Sequence, residues 1–346
     1  MVDIVVYGSI AQDFVSCENS NYRSACVLKR QLVFCCRLPL VFFSLKLTTC
    51  WTCLSYTDQF PRPGETIKGE FTTSPGGKGA NQAAQAAMLG ATVYMIGSVG
   101  KDMFGPTNLA NLRSFGVNTD YVEVSESGRT GCATIIVTKD GQNSIVIAPG
   151  ANMECLTPRI DKLERIVVAA KLVLCQNETT HESVRSIFEL ARKHNVQTFL
   201  NYAPVEETFA KSILKLVDIL CANEIETEYL VDEHVESIED AQKAARKLLG
   251  AGPLIVILTL GAKGVTYASK HGDSGHITVP TVKVVETTGA GDSFCGAFAY
   301  FLVKRPELEL KEQIRRAAYI STLSVQQKGS RDSYLWPKHL PPNILM

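Results

Sequence analysis

The chain has 346 residues, with 35 Lys and Arg set against 35 Asp and Glu. A formal net charge of zero gives no electrostatic case for nucleic acid or an anionic membrane as a partner. The length suits one large α/β domain, and an apolar fraction of 45% suits a full core.

In chain order, Ile4 to Tyr7 reads as a core strand stopping at Gly8-Ser9, rather than as a secretory signal. Asp13 follows in Ala11-Gln12-Asp13, near a strand end where ligands gather in open α/β sheets. Cys17 to Ser55 breaks with both flanks. It holds six of the eleven cysteines, and Lys29, Arg30, Arg37 and Lys46 interrupt its apolar run. No span there reaches the ~18 apolar residues of a membrane helix. Cys50-x-x-Cys53 lacks a second pair at zinc-site spacing, and it is not set at a strand-to-helix turn as a redox pair would be. Tyr56 to Thr73 is strand and turn, with a turn at Arg62-Pro63-Gly64-Glu65. Pro75-Gly76-Gly77-Lys78-Gly79-Ala80-Asn81-Gln82 opens a helix, as a polar pocket floor without Walker A spacing. Thr92 to Ile96 is a strand, and Gly100 to Phe115 a loop and helix. Cys132–Val137 and Ser144–Ile147 form a hairpin about Lys139-Asp140-Gly141.

From Asp161 onward βα alternation is regular. Helices are predicted at Asp161–Ala169 and Glu182–Lys193, and strands at Lys171–Gln176, Gln197–Leu200, Asp218–Cys221, Leu254–Leu258 and Val282–Val285. A last helix is predicted at Lys311–Val325. Polar residues recur where these strands end: Glu178, Asn201, Asn223 with Glu226, and Thr259. The pattern predicts a doubly wound, mostly parallel sheet with helices on both faces. The hairpin and the strands near Glu65–Thr73 would form a separate small β lid. The five later cysteines are scattered as buried thiols of a reducing compartment would be. The expected location is the cytoplasm, with the nucleus as a second compartment.

The stretch that organises the chain is Thr287-Thr288-Gly289-Ala290-Gly291-Asp292-Ser293-Phe294-Cys295-Gly296-Ala297. Its glycines allow a tight turn, and the first amides of the following helix suit an anion. A carboxylate beside a phosphate site, Asp292, suits proton acceptance from an attacking hydroxyl. A Gly-rich turn with an Asp cap is the plainer alternative.

Together these pieces resemble the ribokinase-like family of carbohydrate kinases. They are Gly8-Ser9 with Asp13, Pro63-Gly64-Glu65-Thr66, Gly76-Gly77-Lys78-Gly79-Ala80-Asn81-Gln82, Asn223-x-x-Glu226, Thr259-Leu260-Gly261-x-x-Gly264 and Gly-Ala-Gly-Asp-Ser-Phe at 289–294. The likeness runs over Asp3–Ser16 and from Tyr56 to about Pro337. It implies transfer of the ATP γ-phosphate to the 5-hydroxyl of D-ribose. Other pentoses or nucleosides are alternative acceptors. Asp292 would be the base, and the amides of Gly289, Ala290 and Gly291 the anion hole. Ala11, Gln12, Asp13, Gly77, Lys78, Gly79, Ala80, Asn81 and Glu178 would hold the sugar. The nucleotide would meet Asn223, Thr259, Leu260, Gly261, Ala262, Lys263, Gly264, Gly291 and Asp292. Glu226 would act on Mg²⁺ indirectly. A K⁺ site would draw on Glu286, Thr288, Ser324, Gln327, Gly329 and Ser333, and a homodimer would form through the lid. Glu286 stands where the family usually has Asp, and Ala318 replaces a polar residue on the nucleotide side.

Cys17–Ser55 has no counterpart in that resemblance, and removing it joins Ser16 to Tyr56 at the family's spacing. The segment reads as retained intron sequence or as a lineage-specific loop. If present in the protein it is expected to disturb the lid, and an inactive product is the second functional alternative.

Overall fold

The computed structural model describes residues 3–7, 42–45, 51–140, 142–154 and 160–346. The main sheet is built on β1 (Ile4–Tyr7), which lies between β5 (Val93–Gly100) and β9 (Leu172–Gln176). Beyond β5 comes β6 (Asn118–Ser125). Beyond β9 come β10 (Gln197–Asn201), β11 (Ile219–Asn223) and β12 (Ile255–Thr259). All these neighbours run parallel. The antiparallel strands β13 (Val265–Ser269) and β14 (Ser274–Ile277) then close that edge. A short strand β2 (Phe42–Leu45) pairs in parallel with β1, off this order.

The central strands are covered on both faces, so they read as unbroken apolar runs rather than as alternation. Every residue of β9, Leu-Val-Leu-Cys-Gln, is buried. The polar exceptions sit at strand ends. Gln176, Asn201, Asn223 and Thr259 are the last residues of four adjacent parallel strands, and Gln176 pairs with Asn201 as Asn223 does with Thr259. Chain reversal at this edge lines up four polar side chains where the sheet meets the following loops.

Two helices cross behind this row. Helix α1 (Lys78–Met88) presents Ala80, Ala83, Ala84 and Ala86 to the core. Helix α7 (Ala290–Lys304) is buried over most of its length and packs between α1 and α8 (Leu310–Ser324). The approach of α1 to α7 depends on Gly296, where a methyl group would stand 2.5 Å from the Gln82 carbonyl. On the remaining elements, α2 (Phe104–Ser114) packs on β5 and β6, while α3 (Ile160–Val168) packs on α4 (His181–Lys193). Helices α5 (Glu224–Val231) and α6 (Ile238–Leu249) cover the β11–β13 side.

A separate four-stranded sheet, the one expected as a lid, has the order β4 (Glu70–Pro75), β3 (Trp51–Thr57), β7 (Cys132–Thr138), β8 (Asn143–Ala148). The hairpin expected at 132–147 is there, as β7 and β8. The expectation that residues 17–55 lie outside the common fold is corrected at its end. Trp51 to Ser55 supply five residues of β3, paired with β4 on one edge and β7 on the other. The small sheet thus forms with these residues in place. The predicted strand at Val282–Val285 is absent. This run is extended without a ladder partner, Val284 and Val285 are largely exposed, and β14 already occupies the sheet edge. Among the described residues, no helix is long and apolar enough to cross a membrane.

Candidate active site

Asp292 lies in the first turn of α7 and is 6% exposed. Each of its carboxylate oxygens accepts from a different amide of α1. Asn81 Nδ2 donates to Oδ2 at 2.9 Å, and Gln82 Nε2 donates to Oδ1 at 2.8 Å. Each amide is itself oriented. Gln82 Nε2 also donates to Asn201 Oδ1 at 2.9 Å, while its Oε1 accepts from Gln176 Nε2 at 2.5 Å. Asn81 Oδ1 accepts from Arg331 Nε at 2.8 Å. The strand-end row therefore grips the carboxylate through α1. A carboxylate oxygen has about two acceptor sites, so each keeps one for a ligand.

Asp292 also lines a polar cavity of about 200 Å³ with Lys78, Asn201, Asn223, Glu226, Thr259, Gly289 and Gly291. Burial would lower the Lys78 ammonium's proton affinity, but the carboxylates of Asp292, Glu178 and Glu226 outweigh it and hold the pKa above its usual value. Burial drives Glu226 the other way for its type, up to about 7, against the pull of Lys78 and the Asn223 amide. Asn223 and Glu226 form a reciprocal capping box on α5, each accepting at 2.8 Å from the other's backbone N–H. The charged groups of this cavity thus sit in the first turns of three helices, α1, α5 and α7.

The turn before α7 is tight and open on one side. Gly289 adopts φ 78°, and its carbonyl accepts from Tyr334 Oη at 2.9 Å. A Cβ on Gly291 would meet nothing within 4 Å, so this backbone faces open space. It lies in the first helical turn, whose amides lack partners within the helix. The expected three-amide hole needs one correction: the Ala290 N–H donates to the Thr287 carbonyl at 3.1 Å, closing the turn.

A second, larger cleft of about 510 Å³ adjoins the first, sharing Asn223, Thr259, Thr287 and Gly291. Its walls are largely apolar and include Val279, Val282, Val284, Phe294 and Ala318. The segment expected as a strand at 282–285 is therefore one wall of this cleft. Gly261, Ala262 and Gly264 line the same space. Leu260 and Lys263 do not. Leu260 is in the core, and Lys263 Nζ is engaged by Glu224 at 3.1 Å and by the Glu236 carbonyl at 3.0 Å.

Of the residues expected on the sugar side, Gly77 caps α1, and the Lys78 amide donates to Glu178 Oε2 at 3.2 Å. Gly79 and Ala80 are buried in the first turn, so their contribution is close packing of α1 rather than side-chain contact with a ligand. Ala11, Gln12 and Asp13 lie outside the described residues. The six positions expected for K⁺ come from two stretches, 286–288 and 324–333, that meet: Glu286 Oε2 accepts from the Gly329 amide at 2.9 Å, and Ser324, at the end of α8, and Ser333, in a 3-10 turn, are buried. Among the described residues, no cluster of three or more His, Cys, Asp or Glu forms a metal site.

The sequence assigned no role to Gln176, Arg331 or Tyr334, and none to Gln82 beyond its motif. Gln176 carried a signal, a polar residue ending a fully apolar strand. Arg331 and Tyr334 carried none, because they lie in an irregular segment some 250 and 45 residues from their partners Asn81 and Gly289.

Comparison with known proteins decides the family. Residues 47–337 match the pfkB family of carbohydrate kinases. The chain belongs to that family. It is 40% identical to mouse ribokinase over 296 residues, which is 85% of this chain and 92% of the relative. It is 35% identical to a deoxyribokinase of Salmonella typhi, over 81% of this chain and 91% of that protein. The structure of Arabidopsis thaliana ribokinase complexed with ribose and ATP superposes with a TM-score of 0.79 at 32% identity, covering 86% of this chain and 96% of that one. The fold is that of these kinases, and the chain is an ATP-dependent carbohydrate kinase. The family match opens at residue 47, so residues 47–55 belong to the shared region rather than to a foreign segment.

Proposed function

We propose that this kinase transfers the γ-phosphate of ATP to the 5-hydroxyl of D-ribose. The observation that carries the reading is Asp292, held by two amides between an open glycine cradle and a polar cavity the size of a small sugar. The sugar hydroxyl would lie against a free acceptor site of Asp292, which takes its proton as the bond to phosphorus forms. The first amides of α7 stabilise charge on the transferring group, and Lys78 adds a fixed positive charge to the same cavity. The apolar cleft takes the adenine end, with Ala318 and Val282 in its walls. The similar Arabidopsis thaliana ribokinase, solved with ribose and ATP, supports this reading.

Mg²⁺ suits Glu226, a carboxylate in the cavity wall, and when bound it would neutralise charge on the phosphates. K⁺ suits the two loops joined by Glu286 and Gly329, whose oxygens would hold it beside the cradle. A homodimer through the lid is supported by the exposed apolar side chains Ile145, Ile147 and Tyr56 on one face of that sheet.

The test is ATP-dependent phosphorylation of a sugar panel. D-Ribose should give the highest kcat/KM. A preference for 2-deoxyribose would favour the second reading, which the deoxyribokinase relative supports. Asp292→Asn should lower turnover by about 10²–10⁴-fold with ATP affinity retained. A variant keeping most of its turnover would remove Asp292 as the base.

A further inference from the structure

Arg331 is 2% exposed and sits in a single 3-10 turn, Arg331–Ser333. Its guanidinium binds three oxygens from two distant elements. Nε donates to Asn81 Oδ1 at 2.8 Å, Nη1 donates to Asn111 Oδ1 of α2 at 2.7 Å, and Nη2 donates to the Gly76 carbonyl. Gly76 and Asn81 flank the start of α1, so the guanidinium braces the loop that enters the site.

One of these bonds has a chemical consequence beyond bracing. An asparagine amide has two nearly isosteric ends, one accepting and one donating, and turns over at little steric cost. Guanidinium can only donate, and an ionised carboxylate can only accept. Asn81 lies between the two. With Oδ1 toward Arg331 and Nδ2 toward Asp292, both contacts are hydrogen bonds. Turned over, the amide would set two acceptors against each other at Asp292 and two donors at Arg331.

We infer that Arg331 is a positioning residue for catalysis, locking the Asn81 amide so that its donor end holds Asp292 in line with the sugar hydroxyl. Gln82 is oriented by the Asp292 carboxylate and by the Gln176 and Asn201 amides, none of which is an obligate donor to its Oε1. The obligate donor is on the Asn81 side alone. The inference rests on Asp292 being the base.

Two substitutions of similar size separate the lock from the brace. Arg331→Lys keeps an obligate donor, whereas Arg331→Gln presents an amide that can accept or donate. Arg331→Gln should lower kcat by about 10–100-fold with the KM for ATP unchanged, and Arg331→Lys should retain most of the turnover. Combining Arg331→Gln with Asn81→Ala should cost no more than Asn81→Ala alone, since both break one chain of contacts. Equal kcat in the Lys and Gln variants, or losses that multiply in the double variant, would overturn the inference. So would an effect confined to melting temperature or to the KM for sugar. Neutron diffraction of the unaltered protein reads the lock without any substitution. Deuterons are expected on the Asn81 atom facing Asp292, and deuterons on the atom facing Arg331 would overturn it. Asp292→Asn is the control: if that variant stays active, the base assignment fails, whatever Arg331 does.

Discussion

Gly289 and Gly291 stand two residues apart in one turn, yet a methyl group would meet different surroundings at each. At Gly289 it would lie 2.9 Å from both Ser330 Cβ and Tyr334 Oη, on a backbone at φ 78°. At Gly291 it would meet nothing. Gly289→Ala should therefore act on stability, costing roughly 1–3 kcal/mol from the strained conformation and the crowding. Gly291→Ala should melt as the unaltered protein does and lose about 10–100-fold in kcat/KM for ATP, because its methyl group enters the space meant for phosphate. Thermal melts beside steady-state kinetics check both, and unaltered kinetics in Gly291→Ala would place the phosphate elsewhere. Glu226 gives a pH signature. Its folded value of about 7 lies above the ordinary 4.5, so between these values the native state binds more protons than the unfolded chain. Stability from this group is thus full at low pH and is lost as pH rises through about 7, by at most roughly 3 kcal/mol at about 1.4 kcal/mol per unit. Lys78 and Asp292 are the charged groups acting on it. Urea unfolding of the ligand-free protein at pH 5 and pH 7.5 should show this fall, and Glu226→Gln should flatten it. An equal slope in the variant would mean another group is responsible.

Strand β3 shows how one element can be specified twice in a sequence. Counting back from Tyr56, the residues of β3 are Ser55, Leu54, Cys53 and Thr52. In a chain lacking Cys17–Ser55 the same count gives Ser16, Val15, Phe14 and Asp13. Both sets place two apolar residues and a serine before Tyr56, so either can fill the slot between β4 and β7. They differ at the fourth position, where Thr52 pairs with Ser74, two residues before Gly76. The shortened chain should therefore fold with the same lid but carry a carboxylate beside the sugar loop. Its KM for sugar is expected to be about 10–100-fold lower than that of the full chain, the worth of one charge-assisted hydrogen bond, with the KM for ATP unchanged. Thr52→Asp in the full chain should recover much of that gain. Equal sugar KM in all three proteins would show that this register position does not face the sugar. The contrast also marks what the sequence made legible. The phosphate turn and the start of α1 were readable because each motif is contiguous and its chemistry is local. The part of β3 at Trp51–Ser55 was not seen because composition and the family's spacing bounded the segment, and neither tells which residues pair with β4 and β7. Val282–Val285 was misread because β-branched residues serve equally as a strand and as the wall of an apolar cleft. Arg331 was invisible because its partners Gly76, Asn81 and Asn111 all lie more than 200 residues away.

For the whole molecule, the lid is the part that the core does not finish. Its register sets Ile145 and Ile147 of β8 on one face with Ala133, Ile135 and Val137 of β7 and Leu54 and Tyr56 of β3. Ile145 and Ile147 of β8 and Tyr56 of β3 are 51%, 52% and 42% exposed, with the half-buried Ile135 and Val137 of β7 between them, so an apolar stripe is exposed at its two sides. A stripe on a thin sheet standing apart from the main core has no interior of its own to bury it, and a second copy offers the same stripe in return. Two lids meeting face to face would bury both stripes and would also hold each lid over its own sugar cavity, which joins association to water exclusion. Ile145→Lys with Ile147→Lys should then yield a folded monomer. Sedimentation would show the mass halved. Turnover should fall and ATP hydrolysis without sugar should rise, because an unsupported lid admits water. A mass unchanged by the two lysines would place any self-association on another surface. A monomeric unaltered protein with full activity would mean that the lid closes on its own apolar face.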